Sequence, residues 1–400
     1  MRILRIIETI DLRRGGPING LRAIGPHLRQ LGIETEFLCL DDPMALLRGS
    51  MSGESFVHSL GPVRPGYGYT PAMIPWLREN ARRFDAVFVH GLWQYAGRAA
   101  QKVLPGEGVP YFVMPHGMLD PWFKRAYPLK HLKKALYWRL VEHAVLRDAR
   151  AVIFTCERER ELAAQTFRPY RCNPRVISYG TAGPPPVETP VEKSLRDRLP
   201  AMTAAPFWLY LGRVHAKKGV DLLLRAYGRI AASLPAGQTL PQLVIAGPLD
   251  DAACAKQLRE IQAELPPACR VHWAGMLVGE AKWNALREAE AFVLPSHQEN
   301  FGLAVVEAMS VGLPVLISDQ INIHSEISAS GAGIVEPDTL EGTERLLRRW
   351  MKLPDAGRRA MRAAAERAFN ERYEIRRVAA SVAAMLSELV PSPSHAPAQR

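Results

Sequence analysis

Two carboxylates, Glu299 and Glu307, flank a Phe-Gly turn with seven residues between them. The turn follows an apolar strand pattern at residues 291–295 and opens a helix at Leu303 that Gly312-Leu313-Pro314 stops. Glu299 therefore belongs to the turn, and Glu307 lies about one helical turn in. The backbone N–H groups of Phe301, Gly302 and Leu303 fall among the unpaired donors of a helix N-terminus, where the dipole favours an anion such as a diphosphate. Carboxylates repel phosphate, so their own partners are hydroxyls: a ribose diol for Glu307 and a sugar ring for Glu299. By itself the spacing also fits a solvated turn acid and a helix-face acid. Neighbouring segments decide between them.

Gly212-Arg213-Val214-His215-Ala216-Lys217-Lys218-Gly219 follows the buried-strand run Phe207-Trp208-Leu209-Tyr210-Leu211. Arg213 offers a rigid fork and Lys218 a compact charge, a pairing suited to neutralising a diphosphate from two sides. On its own this is also what a basic strand-end loop looks like.

Together the two segments resemble the retaining glycosyltransferases of family 4, whose fold is the two-domain GT-B architecture. The resemblance covers most of the chain. Gly212 to Gly219 looks like the family's G-R-x4-K-G element and Glu299 to Glu307 its E-x7-E element. Between them, Gly275, Met276 and Leu277 resemble the loop that reads the nucleotide base through its backbone. Gly15 and Gly16 resemble the glycine loop near the donor phosphates and the acceptor. The run Pro115-His116-Gly117-Met118-Leu119-Asp120-Pro121-Trp122 looks like one common in bacterial exopolysaccharide and O-antigen transferases of the family, where the histidine contacts the donor sugar. The resemblance implies catalytic roles for His116, Arg213, Lys218 and Glu299, with front-face attack on the sugar. Asn300 departs from the family's usual glycine, and Val176-Ile177-Ser178-Tyr179-Gly180 lacks its Pro-Asn-Gly. Asn tolerates left-handed backbone better than most residues, so the turn can survive.

These residues need strands to carry them. Apolar runs alternate with amphipathic helical patterns along 400 residues, 48% of them hydrophobic, which fits an α/β chain with parallel sheets in two or three domains; the resemblance implies two doubly wound Rossmann-like domains facing a cleft. The expected division is residues 1–183 for the acceptor, 184–204 as a proline-rich linker, and 205–368 for the nucleotide sugar. Residues 369–390 then form a helix crossing back to the first domain, and 391–400 a disordered tail. Strands ending in His90-Gly91 and His116-Gly117 aim both histidines at that cleft. Gly15-Gly16 lacks the G-x-G-x-x-G spacing of a dinucleotide redox site.

Charge is uneven. Residues 1–183 hold 26 Lys and Arg against 16 Asp and Glu, leaving 25 against 24 for the rest. The excess gathers at Lys124, Arg125, Lys130, Lys133, Lys134 and Arg139, with no acid between Pro121 and Val141. Leu129, Leu132, Leu136 and Leu140 recur at helical spacing, which predicts that they face inward while Lys130, Lys133 and Lys134 face an anionic membrane. An ordinary solvated helix has the same pattern; no nucleic-acid motif accompanies the charge. The N-terminus lacks a signal-peptide pattern and no long apolar run occurs, so a cytoplasmic protein peripheral on the inner membrane face is expected. Five scattered cysteines have no metal-ligand spacing. The implied partners are a nucleotide sugar and a lipid-linked saccharide, with no metal or other cofactor. A GT-B epimerase or phosphorylase, or a non-catalytic sugar-nucleotide-binding scaffold, remains open at this point.

Overall fold

The first strand, β1 (Arg2–Ile6), is buried along nearly its whole length and feeds both layers of the sheet it joins. Leu4 and Ile6 enter one apolar cluster, with Val87, Val89, Tyr111, Val113 and Phe154. Ile3 enters the other, with Phe88, Phe112, Met114 and Ile153. Alternation of period two thus serves a core on each face. A computed structural model describes residues 1–11, 16–44, 56–63, 66–185, 195–235 and 237–391, and structural statements below concern these. Gly15 and the expected tail from 392 onward lie outside them, as does the side chain of Arg125.

The chain forms two units, one of Met1–Gly180 with everything from Ile375 onward, the other of Thr181–Glu374. In the first, β1 is joined by β2 (Glu34–Cys39), β3 (Val57–Ser59), β4 (Ala86–His90), β5 (Tyr111–Met114), β6 (Ala151–Phe154) and β7 (Pro174–Val176). Among the described residues these make a parallel sheet of order β3-β2-β1-β4-β5-β6-β7. The second unit holds β8 (Phe207–Leu211), β9 (Gln242–Ala246), β10 (Val271–Gly275), β11 (Ala291–Leu294), β12 (Val315–Ser318) and β13 (Gly333–Glu336). They form a parallel sheet of order β10-β9-β8-β11-β12-β13. Each order reverses once, between β1 and β4 and between β8 and β11. Loops leaving neighbouring strands there diverge and open a crevice at the strand ends. The chain crosses between units at Gly180 and again at Glu374. Phe369, where the crossing was expected, lies within the helix Asp355–Arg372. The last helix, Ile375–Leu389, packs on Gly16–Gln30 within the first unit.

The basic helix turns the opposite way from the expectation. Leu129, Leu132, Leu136 and Leu140 are 84%, 71%, 63% and 67% exposed. Pro128–Tyr137 has no buried residue, and the coil widens into a π turn at Trp138–Glu142. A second stripe at helical spacing, His131, Lys134 and Trp138, faces inward instead. His131 and Trp138 stack on Phe167, with centroids 4.7 Å and 5.0 Å away. Trp138 Nε1 donates to the Pro169 carbonyl at 2.7 Å, and the Lys134 ammonium sits 4.6 Å from the Trp93 ring centre. Indole, imidazole and a lysine stem bury more area with better partners than the leucines would. Lys124, Lys130 and Lys133 remain exposed.

Candidate functional site

In the second unit the loop after β8 and the loop after β11 meet at the point where the sheet order reverses. The first loop is held in place by its main chain: Val214 N–H donates to the Pro248 carbonyl at 2.9 Å, and the Lys217 carbonyl accepts from His297 N–H and Ser296 Oγ at 2.8 Å and 2.9 Å. Gly219 makes the approach possible. Its φ is 66°, and a Cβ there would lie 2.0 Å from the Pro295 carbonyl oxygen, so no other residue fits without movement. The helix Val220–Ala232 starts from it. In the second loop, Glu299 N–H donates to the Gln320 carbonyl at 3.1 Å and the Glu299 carbonyl accepts from Asn322 N–H at 3.1 Å. Left-handed backbone falls on Gly302, with φ 80°, and not on Asn300.

These anchors bring Lys218 and Glu299 into a direct ion pair, although 81 positions separate them. Burial, then the nearby Arg213 and Lys217 charges, pushes the Lys218 ammonium down to about 8. Arg213 lies on the exposed side of the loop and has no carboxylate partner among the described residues. A lowered lysine beside an open guanidinium and a carboxylate is a poised arrangement for an anion that carries hydroxyls.

Glu307 lies on the seven-residue helix Leu303–Met309, where Lys282 Nζ donates to it at 2.9 Å. Lys282 comes from the helix Gly279–Glu288 and stands 4.3 Å from the Trp283 ring centre. Phe301 is buried edge-on to Tyr373, with ring centres 5.9 Å apart, so only its main chain can face a ligand. At the end of β10, the Gly275 carbonyl accepts from Gly247 N–H at 2.7 Å. Met276 is exposed and Leu277 buried.

The first unit carries a second polar constellation at its own reversal point. Arg5, 3% exposed in mid-strand, places its guanidinium 4.8 Å from the Phe88 ring centre and Nη1 3.4 Å from His90 Nε2. His90 Nδ1 is 3.0 Å from His116 Nε2, and His116 Nδ1 contacts the Tyr179 hydroxyl. A guanidinium only donates, which assigns the direction: Arg5 to His90 Nε2, His90 Nδ1–H to His116 Nε2, His116 Nδ1–H to Tyr179 oxygen. Burial, then Arg5, holds His116 down to about 4, and burial, then the neighbouring His116 and Arg5, holds His90 well below its usual value. Both imidazoles are neutral. His116 has φ 52° and is followed by Gly117, whose N–H donates at 2.6 Å to the buried Glu159 carboxylate. Both ring nitrogens of His116 are thus engaged, so contact with a sugar through either one requires exchange of a bond. Gly16 begins the helix Gly16–Gln30 of the same unit.

Residues 191–368 match the glycosyl transferases group 1 family and residues 15–180 the glycosyl transferase 4-like domain. The chain is 30% identical over 341 residues to the GDP-mannose:cellobiosyl-diphosphopolyprenol alpha-mannosyltransferase of Xanthomonas oryzae, covering 84% of this chain and 83% of that one. This chain belongs to the group 1 glycosyltransferases. It is also 26% identical to D-inositol 3-phosphate glycosyltransferase of Stackebrandtia nassauensis, over 72% of this chain and 65% of that relative, slightly under two thirds of its length. The crystal structure of Anabaena HepE in complex with UDP-glucose superposes with a TM-score of 0.71 at 18% identity, covering 97% of this chain and all of that one. The fold of this glycosyltransferase is therefore GT-B, two Rossmann-like parallel-sheet domains. Lys282 on Glu307, and the links through Arg5, His90 and Tyr179, were not read from the sequence. Tyr179 stood in plain view as the departure from Pro-Asn-Gly.

Proposed function

We propose that the protein transfers a hexose from a nucleotide diphosphate sugar to a hydroxyl of a lipid-linked saccharide, with retention of configuration, in building a cell-surface polysaccharide at the inner membrane face. The observation that carries this reading is the Lys218–Glu299 pair beside Arg213. An arriving diphosphate competes for the ammonium with two oxygens' worth of charge, and draws Lys218 away from Glu299. The freed carboxylate then accepts from hydroxyls of the sugar ring. Arg213 and Lys218 take up charge as the glycosyl–phosphate bond breaks, a role a divalent metal fills elsewhere. The main-chain N–H groups of Phe301, Gly302 and Leu303 assist modestly, since a two-turn helix has a small dipole. Glu307 holds the ribose, with Lys282 fixing its carboxylate, and the backbone from Gly275 to Leu277 reads the base.

The UDP-glucose of HepE supports a nucleotide-sugar donor, and the diphosphopolyprenol in the name of the Xanthomonas relative supports a lipid-linked acceptor. Replacing Arg213 with Ala tests the assignment. Turnover with saturating donor should fall roughly 10²–10³-fold with the fold intact, as for loss of one donor to developing charge. Near-normal turnover in the purified variant would remove Arg213 from the reaction and the diphosphate from this loop.

A further inference from the structure

The outward leucines define a surface that the transferase chemistry leaves unused. At α-helical spacing Leu129 and Leu136 fall about 20° apart around the axis, with Leu132 about 40° beyond Leu136; Leu140, in the π turn, is likewise exposed, and the ridge runs about 17 Å along the surface. Its exposure is built in, because the helix is fastened by its other side. His131 and Trp138 stack on Phe167, and Trp138 is fully buried. Rotating the leucines inward would expose that indole. The ridge is therefore a presented feature of the folded unit, and four such side chains in one row are the pattern of an interaction surface.

Its edges say what it meets. Lys130 and Lys133 flank the leucines on one side and Arg139 on the other, all exposed and none in an ion pair with a carboxylate among the described residues. The chain has no acid from Pro121 to Val141. A second copy docked symmetrically would set these cations against themselves. An apolar row between cationic shoulders complements an anionic bilayer, whose acyl boundary accepts leucine while its phosphates accept from lysine and arginine. We propose that the ridge Leu129, Leu132, Leu136 and Leu140 lies in the plane of an anionic membrane, the leucines entering the acyl boundary and Lys130, Lys133 and Arg139 bonding lipid phosphates. The leucines, and not the lysines alone, hold the protein there. This rests on the transferase reading only for the reason a membrane is near.

Co-sedimentation with vesicles of phosphatidylcholine, alone or mixed with phosphatidylglycerol, tests it at low and high salt. Wild-type protein should bind the mixed vesicles and keep part of that binding at high salt, because burial of apolar surface is not screened. A variant with Leu132→Ser, Leu136→Ser and Leu140→Ser should bind roughly tenfold less or weaker at both salt levels. A variant with Lys130→Gln, Lys133→Gln and Arg139→Gln should lose the preference for phosphatidylglycerol and keep a weak, salt-insensitive remainder. These leucines contact solvent, so the serine variant should keep its thermal midpoint. Should it misfold, an environment-sensitive dye on Leu136→Cys gives the same answer, shifting blue on mixed vesicles. Wild-type protein that ignores both vesicles, or a folded serine variant that binds like wild type, would overturn the proposal. So would a serine variant that changes only self-association in sedimentation velocity, which would give the ridge to a second copy. Transfer to a water-soluble acceptor, unaffected by either variant, reads the active site separately.

Discussion

Lys218 is the residue on which the proposed chemistry turns, and its protonation sets a pH limit. Burial lowers the ammonium to about 8, so the cation is present below that pH and lost above it. Because kcat/KM reports the free enzyme, it should decline as pH rises through about 8. Lys218→Arg keeps the charge at every accessible pH and should abolish that decline, at some loss of rate from altered shape. An unchanged alkaline limb in the arginine variant would assign the titration to another group. Cations and carboxylates at these strand ends were legible in the sequence as residue types. Their pairing was not legible. Nothing in the spacing from Lys218 to Glu299 says that two loops 81 positions apart converge, and Lys282 carries no motif at all.

At the scale of elements, glycine and helix orientation behaved differently. Gly219 was readable as the close of a motif, and the fold gives the reason: left-handed backbone pressed under the Pro295 carbonyl. Gly275 has nearly the same φ, 63°, with nothing within 4 Å of its missing Cβ. Both substitutions to Ala incur backbone strain of about 1 kcal/mol, but only Gly219→Ala adds a clash with main chain, bringing its cost to about 2 kcal/mol or more. Denaturant midpoints at equal slope would show the difference, and equal losses would mean that the β8 loop moves freely away from β11. The basic helix was misjudged for a physical reason. Helical periodicity finds residues that share a face, but burial depends on what that face meets. Leu129 to Leu140 and His131 to Trp138 are rival stripes on one helix. Phe167, Trp93 and the Pro169 carbonyl, contributed by distant segments, select the second.

For the whole molecule, the two parallel sheets and their single reversals follow from short apolar runs alternating with helices, and were readable in outline. The chain crosses between units at Gly180 and Glu374, close to the expected boundaries at 183 and 369, and the helix Asp355–Arg372 carries the second crossing a little beyond Phe369. Among the described residues no helix is long and apolar enough to cross a membrane. The chain belongs to the group 1 glycosyltransferases, and its reaction, the retention of configuration and the lipid-linked acceptor stand as proposals. The most direct test incubates the purified protein with labelled nucleotide sugars and extracted lipid acceptors, then determines the anomeric configuration of the new bond. The account predicts transfer to the lipid fraction with the donor's configuration preserved. An inverted product, or a sugar nucleotide that is epimerised or phosphorolysed with no transfer to any acceptor, would contradict it.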